Sequence, residues 1–159
     1  MTTIFSPEEK RNMEYVRVLE IPACKMVSSQ CGMFGDGKLE AFDEWFSTLE
    51  RGIYPNDFLW QDSKRDGFVW YYVYNEGMQV PEGFEVVDFP GGLYAVASEI
   101  DGQDSTDTIT AIKQFIKEKG CFAEDDSRVY LGTIPTPPSA AKAMGYNQMD
   151  YFVPIKRVD

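Results

Sequence analysis

The chain has 159 residues, enough for one domain with a real core, and 43% of them are apolar, which excludes an intrinsically disordered polymer. Fifteen basic against 26 acidic residues give a net charge of −11, a field that repels phosphate backbones and excludes direct nucleic-acid binding. Histidine is absent, which removes Ser-His-Asp and Cys-His catalysis and the commonest metal ligand.

In chain order, residues 1–12 read as a loose N-terminal arm, with a short helix start at Ser6-Pro7-Glu8-Glu9. A strand is expected from Glu14 to about Gln30, bent at Pro22 because proline cannot donate to a ladder. After the turn Gly35-Asp36-Gly37, a helix from Lys38 to Arg51 places Leu39, Phe42, Trp45 and Phe46 on one face, and Gly52 takes the cap position. Tyr54-Pro55-Asn56-Asp57 is a turn signal. A hairpin follows, with strands Phe58–Gln61 and Phe68–Asn75 joined by the polar turn Asp62–Gly67.

Glu76 to Glu82 links to a second half. There a strand from about Glu85 to Ile100 is bent at Pro90-Gly91-Gly92. A helix spans Ser105 to Lys119, with Ser105 as N-cap and Gly120 as C-terminal cap. Glu124-Asp125-Asp126 reads as a solvated turn, and Arg128–Ile134 as a strand. The proline-rich stretch Pro135-Thr136-Pro137-Pro138 opens a loop to about Asn147, and Gln148–Arg157 closes the fold as a last strand.

The plan is performed twice. Leu19-Glu20-Ile21-Pro22-Ala23-Cys24 returns sixty-eight residues later as Val87-Asp88-Phe89-Pro90-Gly91-Gly92, each followed by a strand-like run, a Gly/Asp loop and an amphipathic helix. The expected fold class is α+β: duplicated strand-helix-strand-strand units (about 14–76 and 83–157) with pseudo-twofold symmetry. An antiparallel sheet, two main helices and a groove between the halves complete it, all in a single domain of residues 1–159. Grooves between packed units are favoured small-molecule sites.

The three cysteines, Cys24, Cys31 and Cys121, form no C-x-x-C pair, so reduced thiols in a cytoplasmic protein are expected, with no metal. No cofactor motif appears: Gly35-Asp36-Gly37-Lys38 is too short for a phosphate loop. No apolar run approaches the ~18 residues of a membrane span, and the N-terminus lacks a basic-then-apolar signal layout.

These pieces, in order, resemble the GyrI-like (gyrase-inhibitor-like) family of effector-binding domains. The matching segments are Ile21-Pro22, Tyr54-Pro55-Asn56-Asp57, Tyr71-Tyr72-Val73, Phe89-Pro90-Gly91-Gly92-Leu93-Tyr94-Ala95-Val96 and Asp150-Tyr151-Phe152-Val153-Pro154-Ile155. The resemblance runs from about Glu14 to Arg157 and is to the stand-alone form, with no helix-turn-helix ahead of it. It implies binding of flat, hydrophobic, often cationic compounds in the groove. It also implies two alternatives: a hydrolase of reactive cyclopropane-bearing toxins, or an inhibitor acting on DNA gyrase as protein partner. The family usually carries a glutamate four residues before the last-strand proline. Asp150 stands there, one methylene shorter, which weakens a general-base role more than a charge role.

Asp150 is therefore the candidate counter-charge for a cation, its alternative being a solvated acid at a strand start. In Phe68–Tyr74, Val69, Tyr71 and Val73 alternate with Phe68, Trp70, Tyr72 and Tyr74. The valine-bearing face is expected to meet the helices, leaving Trp70 and Tyr72 as groove wall or as cross-strand packing. Tyr94 after the Gly-Gly bend, Tyr146 in the loop and Phe152 on the face of Asp150 complete the ring set, since each aromatic face attracts an organic cation by roughly 0.5–2 kcal/mol. Gly91 and Gly92 read either as a close backbone approach to ligand or as a strand bulge.

Overall fold

The computed structural model describes residues 15–50, 52–53 and 56–158. The N-terminal arm, its helix start, and the Tyr54-Pro55 part of the turn signal lie outside the described residues. The elements are β1 (Arg17–Ile21), β2 (Cys24–Ser28), α1 (Lys38–Ser47), β3 (Asp57–Asp62), β4 (Gly67–Val73), β5 (Glu85–Phe89) and β6 (Gly92–Ile100). They continue with α2 (Thr106–Lys119), β7 (Phe122–Glu124), β8 (Leu131–Thr133), α3 (Pro138–Met144) and β9 (Gln148–Arg157). All the strand pairings described below are antiparallel, and the class is α+β.

Two compact units share the chain. Each of the two long strands expected from sequence is in fact a pair, cut at its proline. Ile21 and Cys24 end on opposite sides of Pro22-Ala23, and Phe89 and Gly92 on opposite sides of Pro90-Gly91. One register runs through both pairs: Arg17 faces Val96 and Ile21 faces Gly92, then Cys24 faces Phe89 and Ser28 faces Glu85. The units therefore cut across the sequence halves. β1 belongs with Gly92–Tyr130 and the C-terminal part, while β5 belongs with the residues from Pro22 onward.

In the first unit β6 lies between β1 and β9, and β7 pairs with the far end of β9. Helix α2 covers one face, burying Ile112, Phe115 and Ile116 against Ala95, Ala97, Val153, Ile155 and Val16. The alanines allow close approach of the helix. Its ends match the dipole, with Asp107 in the first turn and Lys117 and Lys119 in the last, and Gly120 closes it at φ 69°. Ser105 holds the N-cap position as expected, but its hydroxyl does not cap the helix: it donates to Glu99 Oε1 at 2.9 Å, and the Asp104 carboxylate accepts the Thr106 N–H instead.

In the second unit the order is β8-β3-β4-β2-β5. Helix α1 starts where Glu40 accepts the N–H groups of Gly35 and Gly37, both at 2.9 Å. It ends at Ser47 rather than Arg51, because the Thr48 hydroxyl takes the Trp45 carbonyl at 2.7 Å. Gly52 thus caps nothing. The segment expected to be a loop to Asn147 contains α3, with Pro138 at its first turn and Gly145 at φ 88° as its stop. The strand expected over Arg128–Ile134 shortens to β8.

Phe42 anchors the second unit, fully buried with ring centroids of Trp45, Phe46, Trp70 and Phe84 at 5.0–6.0 Å. Replacing Phe42 with Ala is expected to cost about 3–5 kcal/mol, read as a lowered midpoint in chemical denaturation.

Candidate functional site

Alternation along β6 and β9 assigns the face of the first unit that α2 leaves uncovered. Tyr94, Val96 and Ser98 stand opposite Pro154, Phe152 and Asp150, and Arg17 stands opposite Val96. Three of the expected site residues meet here. Tyr94 and Phe152 are almost wholly buried, edge to face with centroids 5.7 Å apart. Asp150 is only 4% exposed, so it is not a solvated acid at a strand start. The Ser98 hydroxyl donates to its Oδ1 at 2.6 Å, and Arg17 Nη2 lies 3.4 Å away on a side chain that is half in water. A carboxylate this deep requires such partners.

Tyr94 is held from above by Arg128, whose guanidinium carbon sits 4.7 Å from the ring centroid. Arg128 Nη2 donates to the carbonyls of Leu93 (3.0 Å) and Ile155 (2.7 Å), and Nε to Asp125 Oδ2 (3.0 Å). The guanidinium thus bridges β6 and β9. A β-carbon at position 92 would lie 2.6 Å from Arg128 Nη1, and Gly92 has φ 130°. The close approach at the Gly-Gly bend is therefore made by this internal arginine. Of the acid run, Asp126 is exposed in a turn as expected, whereas Glu124 and Asp125 are half-buried and paired. Asp125 clasps Arg128, and the Tyr130 hydroxyl donates to Glu124. The Ser127 hydroxyl and Arg128 hold the Asp125 carboxyl down at about 2. Burial, reinforced by Glu124, pushes the Tyr130 phenol well up.

In the second unit the expected facing is reversed. Trp70 and Tyr72 pack under α1, against Phe42, Trp45 and Phe46, and Phe46 stacks on Tyr72 at 5.4 Å. The valine-bearing side, with Val69, Tyr71 and Val73, is the one the helix leaves uncovered. The physical reason is that α1 is itself ringed with aromatics and packs best on a ring surface of like size. Sequence reasoning missed Trp60 and Tyr71, which share the uncovered side with Phe89. Trp60 and Phe89 lie 6.2 and 6.0 Å from Tyr71. Burial pushes the Tyr71 phenol up. Beside them Asp62 is clasped by Arg65 Nε at 2.5 Å, which holds its carboxyl down. The aromatic character of α1 was the signal that could have found this. Tyr146 is exposed at the bend between α3 and β9. Among the described residues no cluster of potential ligands fits a metal ion, and no helix is long and apolar enough to cross a membrane.

No protein-family model matches the chain, and no curated protein matches it in sequence. Its fold does match solved structures. EcmrR in a DNA complex superposes with TM-score 0.64 at 9% identity over 95% of this chain, which spans only 62% of the EcmrR chain. A hydrolase from Listeria innocua matches with TM-score 0.62 at 13% identity, over 94% of this chain and 97% of the other. SAV2435 bound to tetraphenylphosphonium matches with TM-score 0.51 at 8% identity, over 89% and 93%. At these identities the likeness is one of fold.

Two outcomes check this geometry. Gly92→Ala is expected to lose about 1–3 kcal/mol from its backbone strain alone, and more from the clash with Arg128, measured by denaturant unfolding. Asp125 is depressed in the folded state, so its contribution to stability is complete above its ordinary pKa and is lost as pH falls from there towards about 2. Carboxyl NMR should place its midpoint near that value, and Ser127→Ala should raise it.

Proposed function

We propose that the protein is a binder of hydrophobic aromatic cations, acting in the cytoplasm, with Asp150 as counter-charge beside the rings of Tyr94 and Phe152. The observation that carries this reading is a carboxylate 4% exposed, on the sheet face opposite α2, paired with an arginine that is 47% exposed at its side chain. A half-solvated guanidinium at 3.4 Å is an exchangeable partner. A delocalised organic cation, cheap to strip of water, replaces it and gains ring contacts. SAV2435, of similar fold, is bound to such a cation, which supports the ligand class. Exposed Tyr146 is retained as a contact for the ligand rim, whereas Trp70 and Tyr72 serve by packing the second unit.

Hydrolysis of a strained ring and an action on gyrase are the weaker readings. Asp150 Oδ1 is occupied by Ser98 and Arg17, which favours a charge role over activation of water.

Calorimetric titration with tetraphenylphosphonium tests the proposal. Asp150→Asn is expected to weaken binding about 10–100-fold, the scale of a lost charged contact. Arg17→Gln is expected to strengthen it by removing the competing cation. Equal affinity of the wild type and Asp150→Asn would refute the role of Asp150, and an absence of binding would refute this ligand class.

A further inference from the structure

A cavity of about 540 Å³ opens within the second unit, where the end of α1 meets the turn after β4. That volume is in the range of small-molecule sites. Its floor is apolar: Trp45 of α1, Leu49 just beyond the helix and Met78 of the turn are all half-buried, and Tyr72 is buried behind them. The Trp45 ring is fixed by Phe42, Tyr72 and Phe84, with centroids 5.5–6.0 Å away. The opposite wall is formed in advance as well. The Met78 N–H donates to the Asn75 carbonyl at 3.0 Å, and Gly77 supplies the positive φ of 86° that this turn requires. The rim is acidic, with the exposed Glu50 and Glu76, and among the described residues that line the cavity none is basic. The C-terminus of α1 adds the negative pole of the helix, and its last turn holds no basic residue, whereas α2 ends with Lys117 and Lys119.

We infer that this cavity is a second binding site, and that it takes primary arylalkylamines in their ammonium form. A wet acidic rim above a ring floor selects an amphipathic cation. The ammonium is compact and strongly hydrated, so it stays at the rim, donating towards Glu50, Glu76 and the Asn75 amide oxygen. The ring joined to it leaves water and lies on Trp45, Leu49 and Met78, as the stem of a surface lysine lies on apolar surface while its head stays in water. The chemistry differs from that at Asp150, where the carboxylate is buried and only a cation that sheds its water can approach. The amine site goes beyond that reading and does not depend on it.

Calorimetric titration with two probes tests it. Tryptamine carries an indole and an ammonium; tryptophol has the same indole and two-carbon arm with a hydroxyl in place of the ammonium. The wild type is expected to bind tryptamine about three- to tenfold more tightly than tryptophol at low salt, and the preference is expected to shrink at high salt because the rim charges are exposed. Glu50→Gln combined with Glu76→Gln is expected to remove most of the preference, leave tryptophol binding unchanged and leave Tm near that of the wild type. Met78→Ala is expected to weaken both probes about three- to tenfold. In NMR spectra the Trp45 indole N–H and the Gly77 amide are expected to shift on adding tryptamine. The site is overturned if the wild type does not bind tryptamine, if it binds both probes equally, if the double variant keeps the full preference, or if neither of those two resonances moves. Asp150→Asn is expected to bind tryptamine as the wild type does; loss of that binding would assign the amine to Asp150 and overturn the cavity site. Failure of tetraphenylphosphonium alone falls on the Asp150 reading and leaves the tryptamine arms to decide this one.

Discussion

A helix can seal only one face of an antiparallel sheet, and in each unit that limit decides the fate of every strand residue. Side chains alternate, so once α2 takes Ala95, Ala97, Val153 and Ile155, the residues between them must turn the other way. Those are Tyr94, Val96, Phe152 and Asp150. In the second unit α1 takes Trp70 and Tyr72, and Trp60 and Tyr71 turn away from it. The groups with interesting chemistry thus lie on the sheet faces opposite α2 and α1. The Asp150 carboxylate is tolerated there because Ser98 and Arg17 satisfy it.

The second constraint is the proline bend. Pro22 and Pro90 each stop a ladder, and the chain resumes as a new strand in the other unit while keeping its register. Each unit therefore borrows its edge strand from the opposite sequence half, and neither half is complete without the exchange. Gly92 follows the second bend and leaves room for the Arg128 guanidinium, which ties β6 to β9 through two carbonyls and stacks on Tyr94. At the first bend Ala23-Cys24 stands instead of Gly91-Gly92.

Much of this was legible. The α+β class, both main helices, the hairpin and the last strand follow from periodicity and turn residues, because those signals are local. So do the buried positions Leu39, Phe42, Ile112, Phe115 and Ile116. Helix α3 was legible and overlooked: Pro138 at a first turn, Ala-rich propensity and Gly145 as a stop are helix signals, masked by the prolines before them. Three things were not legible. Which strand face a helix selects depends on the partner surface, so the parity of Phe68–Tyr74 could be drawn but not assigned. The pairing of Asp125 with Arg128 depends on where the guanidinium lands, thirty-five residues from the Leu93 carbonyl it binds. The pairing of β8 with β3, through Leu59 and Gly132, joins segments far apart in sequence, and no local signal announces it.

The internal cation on Tyr94 also bears on where selectivity resides. A guanidinium already covers one ring face, so the attraction of that face for a positive charge is spent inside the fold. The ring also meets Phe152 edge-on and is only 1% exposed, so a ligand would reach it only at its margin. Ring contacts of that kind reward flat apolar shape and discriminate little between a cation and its neutral analogue. Discrimination by charge must come from a full negative charge in a place poor in water, and on this face that is Asp150. On the binding reading proposed above, the shape of a ligand and its charge would therefore be read by different residues of the same sheet face.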